Sequence, residues 1–460
     1  MNKPISRRDF LKLAGGAVVT AAGAGMLPQF LRKTLMPKEV IAASASSDFD
    51  LFFAGTDGWM SLTGPANSPF YPDVYAPSPF TTYIFGFRNL TGLDPNTQSD
   101  LVAAQKNHAQ HNAPLFWLDQ FDPGAPKDFK LLLTNLGLAQ RPDLVDSHTL
   151  HWHGFRNVIP YFDGEPTGSI SVPVGRYFTY VYRPHDPGTY MYHCHVEDVE
   201  HVHMGMTGIV FVRALQNKTG NAAGAPVARS NGGSSGAPLG YAYNDGVALN
   251  DPTSTAYDRE YPMFLSEVWN EAHWNDAHIQ DTDWSRYKAD FSLLNGRVYP
   301  DTIAPNGNRN ASTGELIAPV NRPDLQYQPH SSLVECNAGD KVLLRFANLG
   351  FREAAMTFDG LDVRVVGRDA TPMRGFGPDG VTRNGVDTSY MTDTILIGAG
   401  EGFDVIFTAP QKTGAGYDTY NLYNRRFTQD DGQSHGQRTE IRVYAAGTVP
   451  PQNPMDGYGI

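Results

Sequence analysis

Short apolar runs, in which hydrophobic and polar residues alternate, fill most of the first half of the chain and are separated by turns rich in Gly, Pro and Asp. Alternation with a period of two buries one face of an extended segment, so each run predicts a β-strand. The runs with the clearest pattern are FKLLLTNLG, HTLHWHGF, GRYFTYVYRP, GTYMYHCHV and GMTGIVFVR. Apart from residues 99–108, little of this region has helical periodicity. The pattern therefore predicts a β-sandwich domain at residues 46–213.

A second block of the same kind includes YPMFLSEVW, LVECNAGDKVLLRFANLG, DTILIGAGEGFDVIFTAP and TEIRVYAAG. We assign it to a second sandwich domain at residues 261–447, followed by a C-terminal tail at residues 448–460. Residues 214–260, between the two domains, are rich in Gly, Ser, Ala, Pro and Asn, which is typical of a flexible linker. The chain is therefore predicted to be all-β, with two sandwich domains.

The first 45 residues have the pattern of an export signal rather than of a folded domain. The heptapeptide SRRDFLK forms a twin-arginine signature, and a weakly apolar Ala/Gly stretch follows it. The tripeptide Ala43-Ser44-Ala45 is a candidate cleavage site. The apolar stretch is too short and too rich in Gly to span a membrane. We therefore expect a twin-arginine signal peptide at residues 1–45, a periplasmic or extracellular location, and no membrane span.

Composition and charge narrow the classes of function. The 460 residues carry a formal net charge of −12, and 18% of them are charged and 12% aromatic. These proportions are typical of a globular chain and not of a disordered one. Because an acidic protein does not neutralise phosphates, nucleic acid is not an expected partner.

Histidine and sulfur-containing residues concentrate in two short segments, HTLHWHGF and YHCHVEDVEHVHMGM. Because side chains alternate along a strand, His151 and His153 should project from one face, and so should His193 and His195. Cys194 should then point the opposite way. Two such strands side by side would gather four imidazoles on one face, with a thiol behind them.

The thiol needs partners of its own. A blue-copper site takes two His, one Cys and a weakly bound axial Met. His148 precedes the first strand and is a natural first imidazole, while the segment after Cys194 offers a second imidazole and a thioether. We favour His201 and Met206 because their separation allows one loop around a metal, and the compound pattern predicts copper binding. The alternatives in the same loop are His203 and Met204.

The stretch from HTLHWHGF to GMTGIVFV resembles, over its whole length, the first cupredoxin domain of the multicopper oxidases, the laccase-like copper proteins. The Asp163-Gly164 turn and the strands VPVGRYFTYVYRP and PGTYMYHCH carry the resemblance. Residues 261–410 are similar to the second, usually copper-free domain of that family, whereas residues 50–130 fit it poorly. The resemblance implies two cupredoxin-like Greek-key β-sandwich domains.

The resemblance also implies a role for each residue of the pattern. Family members oxidise a phenol, an aromatic amine or a metal ion at type 1 copper. Electrons then pass through a Cys-His link to a trinuclear cluster of type 2 and type 3 copper, where O2 becomes water. Here Cys194, flanked by His193 and His195, would form that link and so be the catalytic centre of electron transfer. The implied ligands are His148, Cys194, His201 and Met206 for type 1 copper, His151 for type 2 copper, and His153, His193 and His195 for the type 3 pair.

The sequence departs from the family in two respects. In ordinary three-domain members, the first domain has a residue such as Ser at the Cys194 position and the type 1 copper lies in the last domain, so this chain is expected to be an atypical two-domain member with type 1 copper in its first domain. The family's cluster takes histidines from two domains, and the pattern here supplies the set of only one. A homo-oligomer would supply the rest, if two first domains meet about a two-fold axis or if neighbouring subunits share the site. We therefore expect a homo-oligomeric oxidase with a small-molecule or metal-ion reductant and O2 as its partners.

Two other functions stay open. A chain that binds only type 1 copper would be an electron carrier or a copper-binding protein. A nitrite-reductase-like enzyme is the other alternative, although its mononuclear catalytic site would not need His195. Outside the pattern, His108 and His111 are candidate additional ligands. His273 and His278 are expected to be surface or supporting histidines.

Overall fold

A computed structural model of the chain describes residues 48–62, 70, 72–156, 158–426 and 436–453. The predicted signal peptide and the end of the predicted tail, residues 454–460, lie outside the described residues. The described residues form one compact unit.

The first sandwich consists of two four-stranded sheets, with the strand orders β2-β1-β4-β6 and β3-β8-β7-β5. Large aromatic side chains from both sheets, among them Phe53, Phe116, Trp152 and Tyr192, fill the core between them. Alternation puts these rings on the inner faces, where burial of apolar area stabilises the sandwich. The strands are β1 (Leu51–Ser61), β2 (Thr81–Asn89), β3 (Phe116–Asp119), β4 (Phe129–Asn135), β5 (His151–His153), β6 (Tyr177–Tyr182), β7 (Gly188–His193) and β8 (Thr207–Arg213).

The segment predicted to be a flexible linker is packed against the protein over much of its length. Two short strands within it, β9 (Gly240–Tyr241) and β10 (Ala256–Tyr257), pair with each other. The side chains of Leu239, Tyr241, Tyr243 and Tyr257 are at most 1% exposed. The Tyr243 hydroxyl also donates a 2.5 Å hydrogen bond to Asp404. Burial of these rings outweighs the flexibility that the Gly- and Ser-rich composition indicates.

The second sandwich has a sheet with the order β12-β11-β16-β22-β18-β19, in which β20 also pairs with β18, and a sheet with the order β15-β24-β23-β17-β21. β13 and β14 form a separate ribbon. Its strands are β11 (Arg259–Val268), β12 (Phe291–Leu294), β13 (Asn308–Arg309), β14 (Leu316–Ile317), β15 (Val334–Asn337), β16 (Lys341–Asn348), β17 (Ala354–Phe358), β18 (Val363–Arg368), β19 (Thr371–Pro372), β20 (Tyr390–Thr392), β21 (Thr394–Ile397), β22 (Gly402–Thr408), β23 (Asp418–Asn424) and β24 (Arg438–Tyr444).

Helices contribute little to the described part of the chain, which confirms the prediction of an all-β fold. The predicted helical region at residues 99–108 forms a helix only at its start. No helix among the described residues is long and apolar enough to cross a membrane. The α-helices are α1 (Ser99–Ala103), α2 (Asp198–Met204), α3 (Gln216–Thr219) and α4 (Asn270–Ala277), and the 3₁₀ helices are Pro160–Phe162, Arg229–Asn231, Trp284–Arg286, Asp301–Ile303 and Pro323–Leu325.

The two sandwiches share a buried interface beside β7 and β8. Arg213 at the end of β8 donates a 2.5 Å hydrogen bond to Glu260 on β11. Arg345 on β16 donates to the other oxygen of Glu260 at 3.1 Å. All three side chains are at most 3% exposed. Because buried charges need partners, this pairing holds the sandwiches in one arrangement.

Candidate metal centre

The two predicted ligand strands are neighbours in one sheet. β5 pairs antiparallel with β7, in a register that sets His151 opposite His193 and Trp152 opposite Tyr192. Trp152 and Tyr192 point into the core of the first sandwich. Because side chains alternate along each strand, the histidines that are their neighbours in the sequence project from the opposite face of the sheet.

Four imidazoles gather on that face. The ring centroid of His151 lies 5.3 Å from that of His193 and 5.0 Å from that of His195. The ring of His153 lies 5.8 Å from that of His193. Ligand nitrogens of His151, His153 and His193 lie within 4.8 Å of one another, so the three residues could hold a metal ion. We call these four residues the histidine face.

Hydrogen bonds fix the orientation of two of these rings. His151 Nδ1 is 2.7 Å from the carbonyl oxygen of Asp163, and His193 Nδ1 is 2.8 Å from that of Cys194. An imidazole that donates from one nitrogen presents the other as a metal ligand. Burial lowers the pKa of His193 to about 3 and so keeps its ring in the neutral, ligating form.

Two residues outside the predicted ligand set position its members. Asp163 accepts the hydrogen bond from His151, and the Thr149 hydroxyl accepts a 2.9 Å hydrogen bond from the backbone N–H of His195. The Asp163-Gly164 turn was visible in the sequence as part of the family resemblance. Nothing in the local sequence marked Thr149, because its partner His195 lies 46 residues away in the sequence.

Cys194 follows directly after β7. Its thiol points away from the histidine face and lies between two further imidazoles. Its Sγ is 3.2 Å from His201 Nδ1 and 3.9 Å from His148 Nδ1. The side chains of Cys194, His148 and His201 are at most 1% exposed. The backbone N–H of Thr149 also donates to Sγ at 3.4 Å. The structure therefore brings together the thiol and the two imidazoles that the sequence favoured.

His203, the alternative to His201, is turned away from the thiol. It lies two residues after His201 on α2, and its Nε2 accepts a 3.1 Å hydrogen bond from the backbone N–H of Trp269. Met206 is close to the favoured set. A Cβ atom placed on Gly55 would lie 2.6 Å from His148 Cδ2 and 3.2 Å from Met206 Cε, so the two side chains pack beside the same point of β1.

Charge around the thiol favours a bound cation. Burial by itself would raise the pKa of the Cys194 thiol, but His201 and hydrogen bonds from both imidazoles hold it well below its ordinary value. Burial by itself would lower the pKa of His201, but Cys194 and Asp146 raise it to about 10. These opposite pKa shifts favour a thiolate beside a protonated imidazole, and a copper ion would replace that proton. A thiolate with two imidazoles and a thioether is the donor set of a blue-copper site.

The other histidines of the described residues lie apart from the histidine face. His108 stacks on Tyr327, with ring centroids 5.5 Å apart, and His111 Nε2 is 3.5 Å from the Ser266 hydroxyl. His273 lies beside His203, with ring centroids 5.1 Å apart. Within the described ranges, no metal-binding group combines any of these histidines with His151, His153 and His193. His435 lies outside the described residues.

His278, which was expected to be a surface or supporting histidine, is largely buried in contacts of its own. Its Nε2 is 2.9 Å from an oxygen of the buried Asp73 carboxylate, and its ring is stacked between those of Trp274 and Tyr75.

Comparisons with known proteins agree with this geometry. Two family models, both described as multicopper oxidase, match residues 136–217 and 259–446. Laccase-3 of Botryotinia fuckeliana is 21% identical over 306 residues, which are 65% of this chain and 51% of that protein. This chain therefore spans about half the length of that curated relative.

Two solved structures have a similar fold. One is the blue copper oxidase from Nitrosomonas europaea, with a TM-score of 0.52, 18% identity and 85% of each chain covered. The other is the multicopper oxidase mgLAC, with a TM-score of 0.52, 18% identity and 88% of each chain covered. At this identity the likeness supports the fold alone, and it confirms the cupredoxin-like architecture.

Proposed function

Because this chain belongs to the multicopper oxidase family, we propose that it is an exported copper-dependent oxidase that takes single electrons from a reductant and passes them to O2. The observation that carries the proposal is the position of Cys194. Its thiol lies between two imidazoles on one side of a strand, and its two chain neighbours, His193 and His195, belong to the histidine face on the other side. Two candidate metal sites are thus joined by the backbone of a single residue.

The proposed ligands divide between these sites. His148, Cys194, His201 and Met206 would hold the type 1 copper. His151 would hold the type 2 copper, and His153, His193 and His195 the type 3 pair. Copper supplies the chemistry that no side chain here supplies, because it cycles between two oxidation states one electron apart.

The residues of the chain would connect the two sites in two ways. Covalent bonds lead from the Cys194 sulfur through the backbone to His193 and to His195. The hydrogen bond of 2.8 Å from His193 Nδ1 to the Cys194 carbonyl gives a second, shorter connection. His193 and Cys194, which this hydrogen bond joins, are both buried, so water does not compete for it.

The oxidase would be a homo-oligomer. His151, His153 and His195 are partly exposed, whereas the residues around the thiol are buried, so the histidine face has an open side. A two-fold axis at this face would bring the same residues of a second chain opposite it and so supply the second set of histidines. O2 would be reduced between the two sets, and the reductant would be a phenol or a metal ion.

An electron carrier is the alternative function, and the histidine count favours it. Within the described residues, the groups able to hold a metal at this face draw only on the histidines of one domain. If no partner supplies more, the thiol site alone would be redox-active. The export route is proposed on the twin-arginine pattern, and it applies equally to both functions.

The deciding experiment is the copper content of the fully loaded protein together with its oligomeric mass. A dimer with about 2.5 copper ions per chain would support one cluster shared by two chains, each with its own type 1 copper. About 1 copper ion per chain would leave only the type 1 site and favour the electron carrier. A value of about 4 per chain would mean that each chain completes its own cluster, and would contradict the proposed sharing.

A further inference from the structure

The copper site proposed for Cys194 is sealed from solvent. His148 is 1% exposed, and Cys194 and His201 are 0% exposed. The Nε2 atoms of both histidines are fully buried. No reductant molecule can therefore touch the two imidazoles in this structure, and electrons have to reach the site through protein atoms.

A row of aromatic rings leads from His201 to a cavity on the protein surface. The rings of Phe85 and His201 are 5.7 Å apart, those of Tyr83 and Phe85 are 5.6 Å apart, and those of Trp59 and Tyr83 are 5.3 Å apart. The row follows from the strand pairing. Tyr83 and Phe85 alternate on one face of β2, and Trp59 on β1 is the direct cross-strand neighbour of Tyr83. We call Trp59, Tyr83 and Phe85 the aromatic row.

The middle ring of the row has a proton acceptor. The Tyr83 hydroxyl donates a 2.8 Å hydrogen bond to Asp57 Oδ2, and both residues are fully buried. Burial and then the Asp57 carboxylate hold the pKa of Tyr83 far above its ordinary value, so the phenol stays protonated at rest. When the ring gives up an electron, its proton can move along this bond to Asp57 and return when the ring is reduced again.

Trp59, at the outer end of the row, lines a cavity of about 500 Å³. Its wall is mixed: Tyr75, His108 and Tyr327 contribute further rings, and polar side chains form the rest and the larger part of it. These rings are stacked on neighbouring rings. The ring centroids of Tyr75 and His278 are 4.4 Å apart, and those of His108 and Tyr327 are 5.5 Å apart. The volume is within the range of small-molecule sites, and ring faces of this kind pack against flat aromatic molecules. The polar residues of the wall include Gln140, Asp324 and Gln326.

We propose that this cavity binds the reductant as a flat aromatic molecule, a phenol or an aromatic amine, and that Trp59, Tyr83 and Phe85 carry its electrons to His201. The inference rests on the proposed function, because it needs a redox centre at Cys194. In each step a phenol gives one electron to the row and its hydroxyl proton to water in the open cavity. A copper ion held beside His201 would accept that electron, so charge and protons balance. The cavity is a separate site from the copper ligands, and the row is what connects them.

The chain offers a matched pair of variants for the row. Phe85 and Phe87 lie on the same face of β2 and are both fully buried, but the Phe87 ring lies 6.0 Å from Tyr192 and has no place in the row. Both would be changed to Leu in the copper-loaded protein. Bleaching of the blue absorption would then be followed in a stopped-flow instrument without O2, with 2,6-dimethoxyphenol as the reductant.

We expect Phe85→Leu to lose most of the bleaching rate, and Phe87→Leu to keep it. Tyr83→Phe keeps the ring and removes the proton transfer, so it should slow bleaching while leaving the blue spectrum unchanged. Equal rates in Phe85→Leu, Phe87→Leu and the unchanged protein would overturn the row, since the electrons would then cross elsewhere, for example near the acidic residues Asp146 and Glu197.

Binding gives a second readout that does not depend on activity. The copper-free full-length protein would be titrated with 4-nitrophenol, a flat phenol that resists oxidation. Loss of one aromatic contact, in Trp59→Ala, should weaken binding about tenfold, which is the size of one ring-to-ring interaction. Trp117→Leu, a change to a partly buried Trp on β3 and away from the cavity, should bind as before. Absence of saturable binding, or equal binding by both variants, would overturn the cavity assignment.

The two proposals fail in different ways. A protein that binds copper without blue colour would contradict the copper site itself. A blue protein that hexacyanoferrate(II) bleaches, but whose bleaching by the phenol is the same in all variants, would contradict only the cavity and the row. A phenol rate that depends on Phe85 and Trp59, with an unchanged hexacyanoferrate(II) rate, would support both.

Discussion

Gly55 is the residue whose replacement tests the geometry of the candidate copper site most directly. It lies on β1, far in the sequence from every proposed ligand, and it has no role in the chemistry. A Cβ atom at this position would be 2.6 Å from His148 Cδ2 and 3.2 Å from Met206 Cε. Carbon atoms in contact lie about 3.5–4.0 Å apart, so Gly55→Ala requires the His148 ring or the strand to move by about 1 Å.

The size of that movement decides the outcome. Metal–ligand distances tolerate deviations of about 0.2 Å, so a shift of about 1 Å in His148 is several times larger than the site can absorb. Overpacking of this kind costs about 1–3 kcal/mol of folding free energy, which a chain of this size can sustain. We therefore expect Gly55→Ala to fold, to bind Cu(II) more weakly and to have a weaker or shifted blue absorption.

The assay is a Cu(II) titration of the metal-free protein, followed by visible absorption and electron paramagnetic resonance. Gly86→Ala is the matched control, because a Cβ there would lie 2.8 Å from the Gln110 carbonyl oxygen and touches no proposed ligand. It should lose similar stability but keep the same blue spectrum and copper affinity. If folded Gly55→Ala binds copper with the unchanged spectrum and affinity, then His148 is not a ligand of that copper.

Four further substitutions test the rest of the site and the fold. Cys194→Ser should abolish the blue colour and substrate oxidation, because the colour needs a thiolate on Cu(II); a blue variant would exclude Cys194 as the ligand. His153→Ala should keep the colour but stop O2 reduction, as measured by oxygen uptake, and unchanged uptake would contradict the role of the histidine face. Met206→Leu should keep the blue band and raise the reduction potential, because a weak axial donor is lost, and a potential equal to that of the unchanged protein would favour Met204. Glu260→Leu should lower the free energy of unfolding by about 3–5 kcal/mol in denaturant titrations, since it removes the buried carboxylate that Arg213 and Arg345 share, and a loss below about 1 kcal/mol would mean that the interface does not depend on this pairing.

The fold was largely predictable because strand periodicity is local. The alternating runs predicted both sandwiches, and the structure contains strands at these positions. The linker was less predictable. Its Gly- and Ser-rich composition favours flexibility, but Tyr243 and Tyr257 within it pack against distant residues of the second sandwich, such as Ile406. A local pattern contains no information about such distant partners.

The sequence by itself determined which residues could supply donor atoms and how they are divided between two sides of an extended segment. His193, Cys194 and His195 are consecutive, and alternation alone puts the thiol opposite the imidazoles. Only the tertiary structure decided between His201 and His203. The segment that carries them is a helix, which turns by about 100° per residue. Residues two positions apart therefore point in roughly opposite directions.

The same distinction applies to contacts between distant segments. The packing of Gly55 against His148, and the row of rings from Trp59 to His201, depend on which strands pair and in which register. Pairing brings together residues that the sequence separates by tens or hundreds of positions, and the free energy that selects it comes from the whole core. The sequence therefore determined which donor atoms this protein can offer to a metal ion. The tertiary structure determined how deeply the candidate copper site is buried and which rings lie between it and the surface cavity.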